Sequence, residues 1–405
     1  MKYINALILC VIVIISMFSM QANVQAEGRN YDFDGSISRE VLDNYLSRSL
    51  TMSAWLHGGG DPEDNMRFLH EVGAKFIGRS VLRWGSEHKT LETIEIAQPL
   101  AKRMHEIDPE MILQACIFEI VTVNVDSLEI PIWVFEEFGL TPEKRNFRYA
   151  DMIYPDGHLE NHWNEGHSVP DMSQLETRMW FVYAAALYID IGIEAIHFGQ
   201  VAIMDDRDPD HVYWRDMLSR CRSYAKKHAR RHFLLCDAHV NSGIIHDGIL
   251  MFDFNSFPIR IEEMEGKQNQ GYLQMGYYDS IFGRSMGGMT QSGWECDSLP
   301  YIVEIDNFGR SGRHGENIGT HYIWGYDEIS WYANMTEDMR DLWLHYAWNW
   351  VRAHDTNGWL QMPGSRPIFP PVNGKGRYWA NRRSDAVPYG FNQEVTIKEI
   401  WSHEK

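Results

Sequence analysis

Eight short apolar runs, each following a helix-like stretch, recur along this chain of 405 residues, and several end in a carboxylate or a histidine. They are Leu50 to His57, Lys75 to Trp84, Met111 to Glu119, Ala195 to Gln200, His232 to His239, Ile249 to Ile259, Pro300 to Gly309 and Gly358 to Gly364. Strands that alternate with helical segments predict βα units and a parallel sheet. Eight such units close a (β/α)8 TIM barrel, in which chemistry sits at the strand ends and long βα loops wall the site. The polar residues expected there are His57, Arg79, Glu119, His197, Gln200, Asp237, His239, Asp253, Asn255, Glu304 and Asp306. An ionised group inside such a barrel is costly unless it opens onto the mouth.

Met1 to Ala26 reads as a secretory leader: Lys2 is the charged start, Ala6 to Phe18 the apolar core, and Val24-Gln25-Ala26 the small-residue cleavage site. The alternative is an uncleaved anchor, although the apolar stretch is short against the roughly 20 residues of a full span. The expectation is therefore a secreted or periplasmic protein without stable membrane insertion, with residues 27–405 forming a single barrel domain. A formal net charge of −19 disfavours nucleic acid or an anionic membrane as partner. Oligomeric state is not legible. Beyond the leader, Cys116 and Cys236 lie inside expected strands, and the spacing of Cys116, Cys221, Cys236 and Cys296 suggests neither a zinc knuckle nor a disulfide framework.

Helix signals punctuate the runs. Asp61-Pro62 opens one helix and Gly73 ends it; Ser173-x-x-Glu176 has the form of a capping box; Asp208-Pro209 opens another helix; Thr336 to about His354 is a tryptophan-rich amphipathic stretch. Glu27 to Ser49 is expected to plug the barrel bottom. Residues 363–371 and 374–383 read as irregular chain, with a last short helix near Asn392 to Ser402. The connection from Val121 to Gln174 far exceeds the usual length of about 2 to 6 residues and is expected, with Arg310 to Met335, to form the substrate cleft.

Glu119 ends the third run, and Glu304 and Asp306 end the seventh, where period-two alternation puts both on one face. Paired carboxylates across a barrel mouth can serve as acid and base, or as acid and nucleophile, in glycosyl transfer to water. Asp237 and His239 share a face of the fifth run and are expected to work as a proton-shuttling pair. His197, Asp237 and His239 are also suitable metal-ligand types, but Ala54-Trp55-Leu56-His57 lacks the His-x-His of metal-dependent barrel hydrolases, so no metal or other cofactor is expected. His57, His197, Gln200, Asp253 and Asn255 are substrate-binding candidates, of which His57, His197 and Gln200 are equally readable as satisfied structural residues.

Arg79, Arg83, Arg145, Arg148, Arg207, Arg260, Arg284, Arg310, Arg313 and Arg366 fall on or just after strand ends despite the acidic balance. Taken together they favour an anionic substrate, with Arg79 and Arg310 as clamps on a carboxylate or sulfate; singly, each is as well explained by neutralising an acidic loop. Of fifteen tryptophans, Trp84, Trp163, Trp294, Trp324, Trp331 and Trp379 are expected in loops of the active face, where aromatic faces stack on sugar rings. Trp343, Trp348 and Trp350 have helical spacing and read as core.

With its leader, eight runs, Glu119, Glu304 and aromatic loops, the chain resembles the secreted glycoside-hydrolase-like barrels of polysaccharide-degrading systems. That resemblance is architectural and spans nearly the whole mature chain. It implies a poly- or oligosaccharide substrate, a nucleophile at the seventh strand, where Glu304 stands, and an acid/base glutamate after asparagine at the fourth. Ile196-His197-Phe198-Gly199-Gln200 has no such glutamate, which moves the expected acid to Glu119, Asp237 or Asp253. The departure keeps a lyase or oligosaccharide dehydratase open, one that eliminates at a uronate through an arginine and a base to leave an unsaturated sugar. A catalytically inactive carbohydrate-binding barrel is the third reading.

Overall fold

The computed structural model describes residues 28–240, 244–277, 286–317, 319 and 323–404. The leader and Arg284 lie outside them. Helix α1 (Arg39–Leu46) precedes strand β1 (Ser49–Met52), and its apolar side, Val41, Leu42, Tyr45 and Leu46, is buried. Then follow α2 (Pro62–Val72), β2 (Phe76–Leu82), α3 (Thr90–Ile107), β3 (Ile112–Cys116), α4 (Leu175–Asp190), β4 (Ala195–His197), α5 (Val212–His228), β5 (Leu235–Asp237), β6 (Asn255–Pro258) and β7 (Tyr301–Glu304). After α6 (Glu328–Ala333) and α7 (Glu337–His354), the eighth run appears as β8 (Gly358–Leu360) and β9 (Met362–Val372). The chain closes with β10 (Lys375–Trp379) and α8 (Glu394–His403).

The protein is a mixed α/β fold built on parallel strands. One sheet has the order β10-β9-β1-β2-β3-β4-β5 and another β6-β7-β8. All contacts along these sheets are parallel except β9 with β10. Gln361 alone separates β8, paired to β7, from β9, paired to β1. On the other side, Asp253 N donates to Cys236 O at 2.9 Å and Ser256 N to Ala238 O at 3.2 Å, linking the β5 and β6 segments.

Local chemistry explains most element ends. Asp61 accepts from Asp64 N at the start of α2, Pro62 fills the first helical position, and Gly73 ends the helix in the left-handed region at φ 77°. Asp208 acts as expected, its carboxylate accepting from Val212 N and Tyr213 N at the head of α5. The capping box at Ser173 does not form: Glu176 instead takes both Arg145 nitrogens, at 2.6 and 2.9 Å, and Arg148 N at 3.0 Å.

That pairing shows what much of the long third connection does. Helix α4 is buried almost all round, so its outer side needs a cover. Residues 128–153 supply it, with Phe147 packing 5.5 Å from Trp180 and 5.9 Å from Tyr183. The segment expected to wall a cleft therefore largely covers a helix.

Other expectations are corrected. No helix lies among the described residues between β5 and β6 or between β6 and β7; short antiparallel pairs occupy these connections. Residues 363–371 and 374–383 are expected to be irregular, but 362–379 form the β9–β10 hairpin, with Pro370 and Pro371 falling where the register shifts between Pro367 and Val372. Trp331 is buried in α6, edge-on to Trp343 at 5.5 Å. Trp294 donates to Ile37 O, just before α1, which puts it at the opposite end of the strands from Glu304. No described helix is long and apolar enough to cross a membrane.

Candidate active site

Each of the eight runs contributes one side chain to a continuous buried network. Thr51 of β1 donates to Gln361 at 2.6 Å and lies 3.5 Å from Glu304 of β7. Glu304 accepts from Arg79 Nε of β2 at 3.0 Å, and Arg79 N donates to Gln114 of β3 at 3.1 Å. Gln114 Nε2 donates to Asp237 of β5 at 2.6 Å, whose other oxygen takes His197 Nδ1 of β4 at 2.8 Å and the Ser256 hydroxyl of β6. Neutral polar residues in buried strands need partners, and here they find them on neighbouring strands.

Glu304 is the centre of this network. Arg79 grips both of its oxygens, and Arg366 Nη1 of β9 approaches Oε2 at 3.2 Å. Burial alone would raise the Glu304 carboxyl, but Arg79 and Arg366 outweigh it and hold it well below the usual carboxylate range. The second nitrogen of Arg366 reaches Asp306 at 3.0 Å, so Glu304 and Asp306 do share a face, tied by one guanidinium. Burial likewise acts to raise Asp306, and Arg366 reverses it. Arg79 itself sits in the left-handed region at φ 58°, a conformation worth about 1 to 3 kcal/mol of strain in a non-glycine residue.

The expected Asp237–His239 pair does not form. Two residues along a strand are roughly 6.6 Å apart, whereas lateral neighbours on paired strands lie nearer. His197 is the register partner of Asp237, so the hydrogen bond runs across the ladder. Burial lowers the His197 pKa against the opposing pull of Asp237, which leaves the ring neutral. With Nδ1–H donating to Asp237, Nε2 carries a lone pair, and it is buried without a hydrogen-bond partner. His239 instead stands beside Glu304, its Nε2 3.6 Å from Oε1 and just beyond hydrogen-bond reach. The His197 and His239 rings lie 4.8 Å apart, edge to face.

Glu119 is held differently. Its two oxygens accept from Gln200 N at 3.0 Å and Gln200 Nε2 at 2.9 Å. Gly199 stands at φ 62°, and a Cβ there would collide with the Glu119 carboxylate, so glycine is required on both counts. Above it lies an aromatic shelf. Trp163 Nε1 donates to Glu119 O at 2.9 Å, and Trp84 packs edge-on to Trp163 at 5.1 Å and against Phe118 at 5.2 Å while remaining exposed.

The remaining candidates are not all brought together. Asp253 and Asn255 stand at the start of β6, not its end; the Asp253 carboxylate takes Cys236 N at 2.8 Å and Arg222 of α5 at 3.1 Å, turned outward to the helix. His57 accepts from Leu82 N at 3.4 Å, and burial lowers its pKa to about 4. Arg79, expected as a substrate clamp, is spent on Glu304. Arg145, Arg207 and Arg260 are likewise spent on Glu176, Asp156 and Glu328. Arg310 is exposed, its guanidinium 4.8 Å from the Phe369 ring. Gln114, Ser256, Thr51 and Gln361 were missed as site residues. Their signal is a lone polar residue inside an apolar run, as in Ile112-Leu113-Gln114-Ala115-Cys116.

Among the described residues no cluster of three or more His, Cys, Asp or Glu side chains could hold a metal ion. No family model and no curated protein matches the chain. Among solved structures, a debranching enzyme of Nostoc punctiforme is similar at 10% identity and a TM-score of 0.40, over 92% of this chain and 76% of that one. The isomalto-dextranase of Arthrobacter globiformis T6 in complex with panose is similar at 8% identity and a TM-score of 0.34, over 88% and 56% of the two chains. Likeness at this level is general and assigns no activity to the chain.

Proposed function

We propose that the eight runs close as a (β/α)8-type barrel and that this chain is a carbohydrate-active enzyme of glycoside-hydrolase type, with Glu304 at its centre. The observation that carries the reading is a carboxylate kept ionised between two arginines, with an imidazole nitrogen 3.6 Å away, at the C-terminal end of a parallel strand. The side-chain network through all eight runs and the backbone bonds between the β5 and β6 segments support closure.

A carboxylate so strongly stabilised as the anion takes up a proton poorly, which suits a nucleophile or an electrostatic partner of a developing oxocarbenium ion better than a general base. In the hydrolytic reading the Glu304 carboxylate attacks the anomeric carbon as Glu119 gives its proton to the departing oxygen. Water then adds its hydroxyl to that carbon, returns a proton to Glu119 and frees Glu304. Trp84 and Trp163 offer ring faces beside Glu119 for sugar stacking. An anionic preference, for uronate or sulfate, falls to Arg310 now that Arg79 is occupied.

The experiment incubates the protein with neutral, uronate-containing and sulfated oligosaccharides and follows product masses and ultraviolet absorbance together. Hydrolysis adds the mass of one water across each cleaved bond with no new absorbance. With an aryl glycoside bearing an acidic leaving group, Glu119→Gln is expected to keep a fast first step, read as a burst of released phenol, and to be slowed in the second, where Glu119 takes the proton of water. Glu304→Gln is expected to release almost no phenol, and equal loss of the first step in both would overturn the two roles. Arg310→Ala is expected to slow anionic substrates more than neutral ones. The neutral His197, its lone pair set by Asp237, favours a second reading as an eliminase base. New absorbance from an unsaturated sugar would establish that chemistry instead.

A further inference from the structure

A cavity of about 670 Å³ lies between the connections that follow β6 and β7, lined by Glu262, Glu263, Lys267, Tyr272, Tyr277 and Asn317 among others. Its size falls in the ordinary range for small-molecule sites, roughly 300 to 1,000 Å³. Glu262 and Glu263 form a short antiparallel pair with Gly271 and Tyr272, which fixes the floor.

Glu263 is only 9% exposed, yet its Oε1 is buried with no hydrogen-bond partner, while Oε2 takes no more than a long contact of 3.4 Å from Trp324 N. A buried carboxylate oxygen without a donor is expensive to keep. Burial pushes this carboxyl up to about 7, with the backbone of Trp324 and Ile323 opposing. Among the described lining residues, Glu262 and Glu265 add negative charge to that of Glu263, against the single cation Lys267.

We infer that this cavity binds a small organic ligand bearing a protonated amine, of the amino-sugar class, with its ammonium on Glu263 and its ring against Tyr272 and Tyr277. Carboxylates with aromatic faces are the pairing that recognises an organic cation, through charge-assisted hydrogen bonds and cation–π attraction. The unpartnered Oε1 of the buried Glu263 carboxylate leaves room for a donor that the described residues do not supply. Binding at this cavity is independent of any turnover at Glu304.

The test is calorimetric titration of the full chain with glucosamine, glucose and galacturonate at one pH and ionic strength. Glucosamine is expected to bind at least ten-fold more tightly than glucose, and galacturonate not at all. Glu263→Gln, an isosteric change that removes the charge but keeps the shape, is expected to weaken glucosamine binding ten-fold or more while leaving the thermal transition near its original temperature. Glu262→Gln, on the cavity rim, is a second variant that leaves the buried side chain untouched and is expected to weaken glucosamine binding more than glucose binding. Equal affinity for glucosamine and glucose, a preference for galacturonate, or no binding at millimolar concentration would overturn the proposal. Turnover of oligosaccharides by both variants, measured alongside, separates loss of this site from loss of the Glu304 centre.

Discussion

Glu304 and Glu119 look alike in the sequence, each a glutamate at the end of an apolar run, but they are built in different ways. Glu304 is held by Arg79 and Arg366, with Thr51 and His239 beside it, all from other strands or the connection after β5. Glu119 rests on the main chain and side chain of one residue, Gln200, and on the space left by Gly199. The first carboxylate is part of what holds the strand ends together. The second is held by a neighbouring turn and is not part of that network. An enzyme with this arrangement would keep its charged centre rigid and leave its proton donor near the aromatic shelf.

Removing the Glu304 charge should break the contrast most visibly. Glu304→Ala leaves Arg79 and Arg366 buried without their main counter-charge, and such a loss typically costs about 3 to 5 kcal/mol. Urea unfolding should show this as a lower midpoint with an unchanged slope. Glu304→Gln keeps the shape and is expected to lose less stability, yet to lose turnover by at least about 10³-fold. Unfolding midpoints indistinguishable from wild type in both variants would mean that the network contributes little.

Gly199→Ala comes next. Its backbone at φ 62° and the collision of a new Cβ with the Glu119 carboxylate should together cost about 1 to 3 kcal/mol and displace Glu119. Gly192→Ala, also in the left-handed region at φ 94° but at the end of α4, is the control for backbone strain. Both should destabilise, and Gly199→Ala should slow turnover far more. Glu119→Gln should fall within about 1 kcal/mol of wild type in stability, since both of its contacts come from one partly exposed glutamine. If Glu119→Gln unfolds as readily as Glu304→Ala, the two carboxylates are equally structural.

The strands were legible because eight runs of buried apolar residues are a local signal, and so were Asp61-Pro62, Gly73 and Asp208, whose capping acts within a few residues. Glu304 and Asp306 sharing a face followed from period two. What could not be read is lateral. Asp237 meets His197 and not His239 because parallel register, set by long-range pairing, decides which side chains are neighbours. Arg79 appeared free for substrate because its partner lies 225 residues away in sequence. Asp253 looked like a strand-end residue because the sixth run gives no indication of where its hydrogen-bonded part begins. The hairpin after β8 was hidden by its own prolines, which argue against a strand, although only Pro370 and Pro371 fall in a register shift and Pro363 and Pro367 pair in register.

The smallest expected effect separates the two regions by pH. Burial lowers His57 to about 4 and His105 to about 3, in both cases with nearby arginines adding to it. Unfolded histidine titrates near about 6.5, so between the two values the unfolded chain binds more protons than the folded one. Stability therefore rises with pH through this window and is lost as pH falls from about 6.5 towards 4. Glu304 is displaced in the same direction but in a separate, more acidic window: its folded pKa lies below the unfolded carboxylate value, so its contribution stays complete down to about pH 4.5 and disappears only below that. Between pH 7 and pH 5 the buried histidines are expected to take roughly 2 to 4 °C from the melting temperature, against a gain from Asp205, Glu263 and Glu328, whose carboxyls burial raises to about 8, 7 and 7. His105→Leu, which removes a buried ring nitrogen without a partner, should flatten that slope, whereas Glu304→Gln should leave it unchanged and alter the profile only below about pH 4.5. A slope between pH 7 and pH 5 that survives His105→Leu but vanishes in Glu304→Gln would place the titrating group at the charged centre, contrary to the geometry.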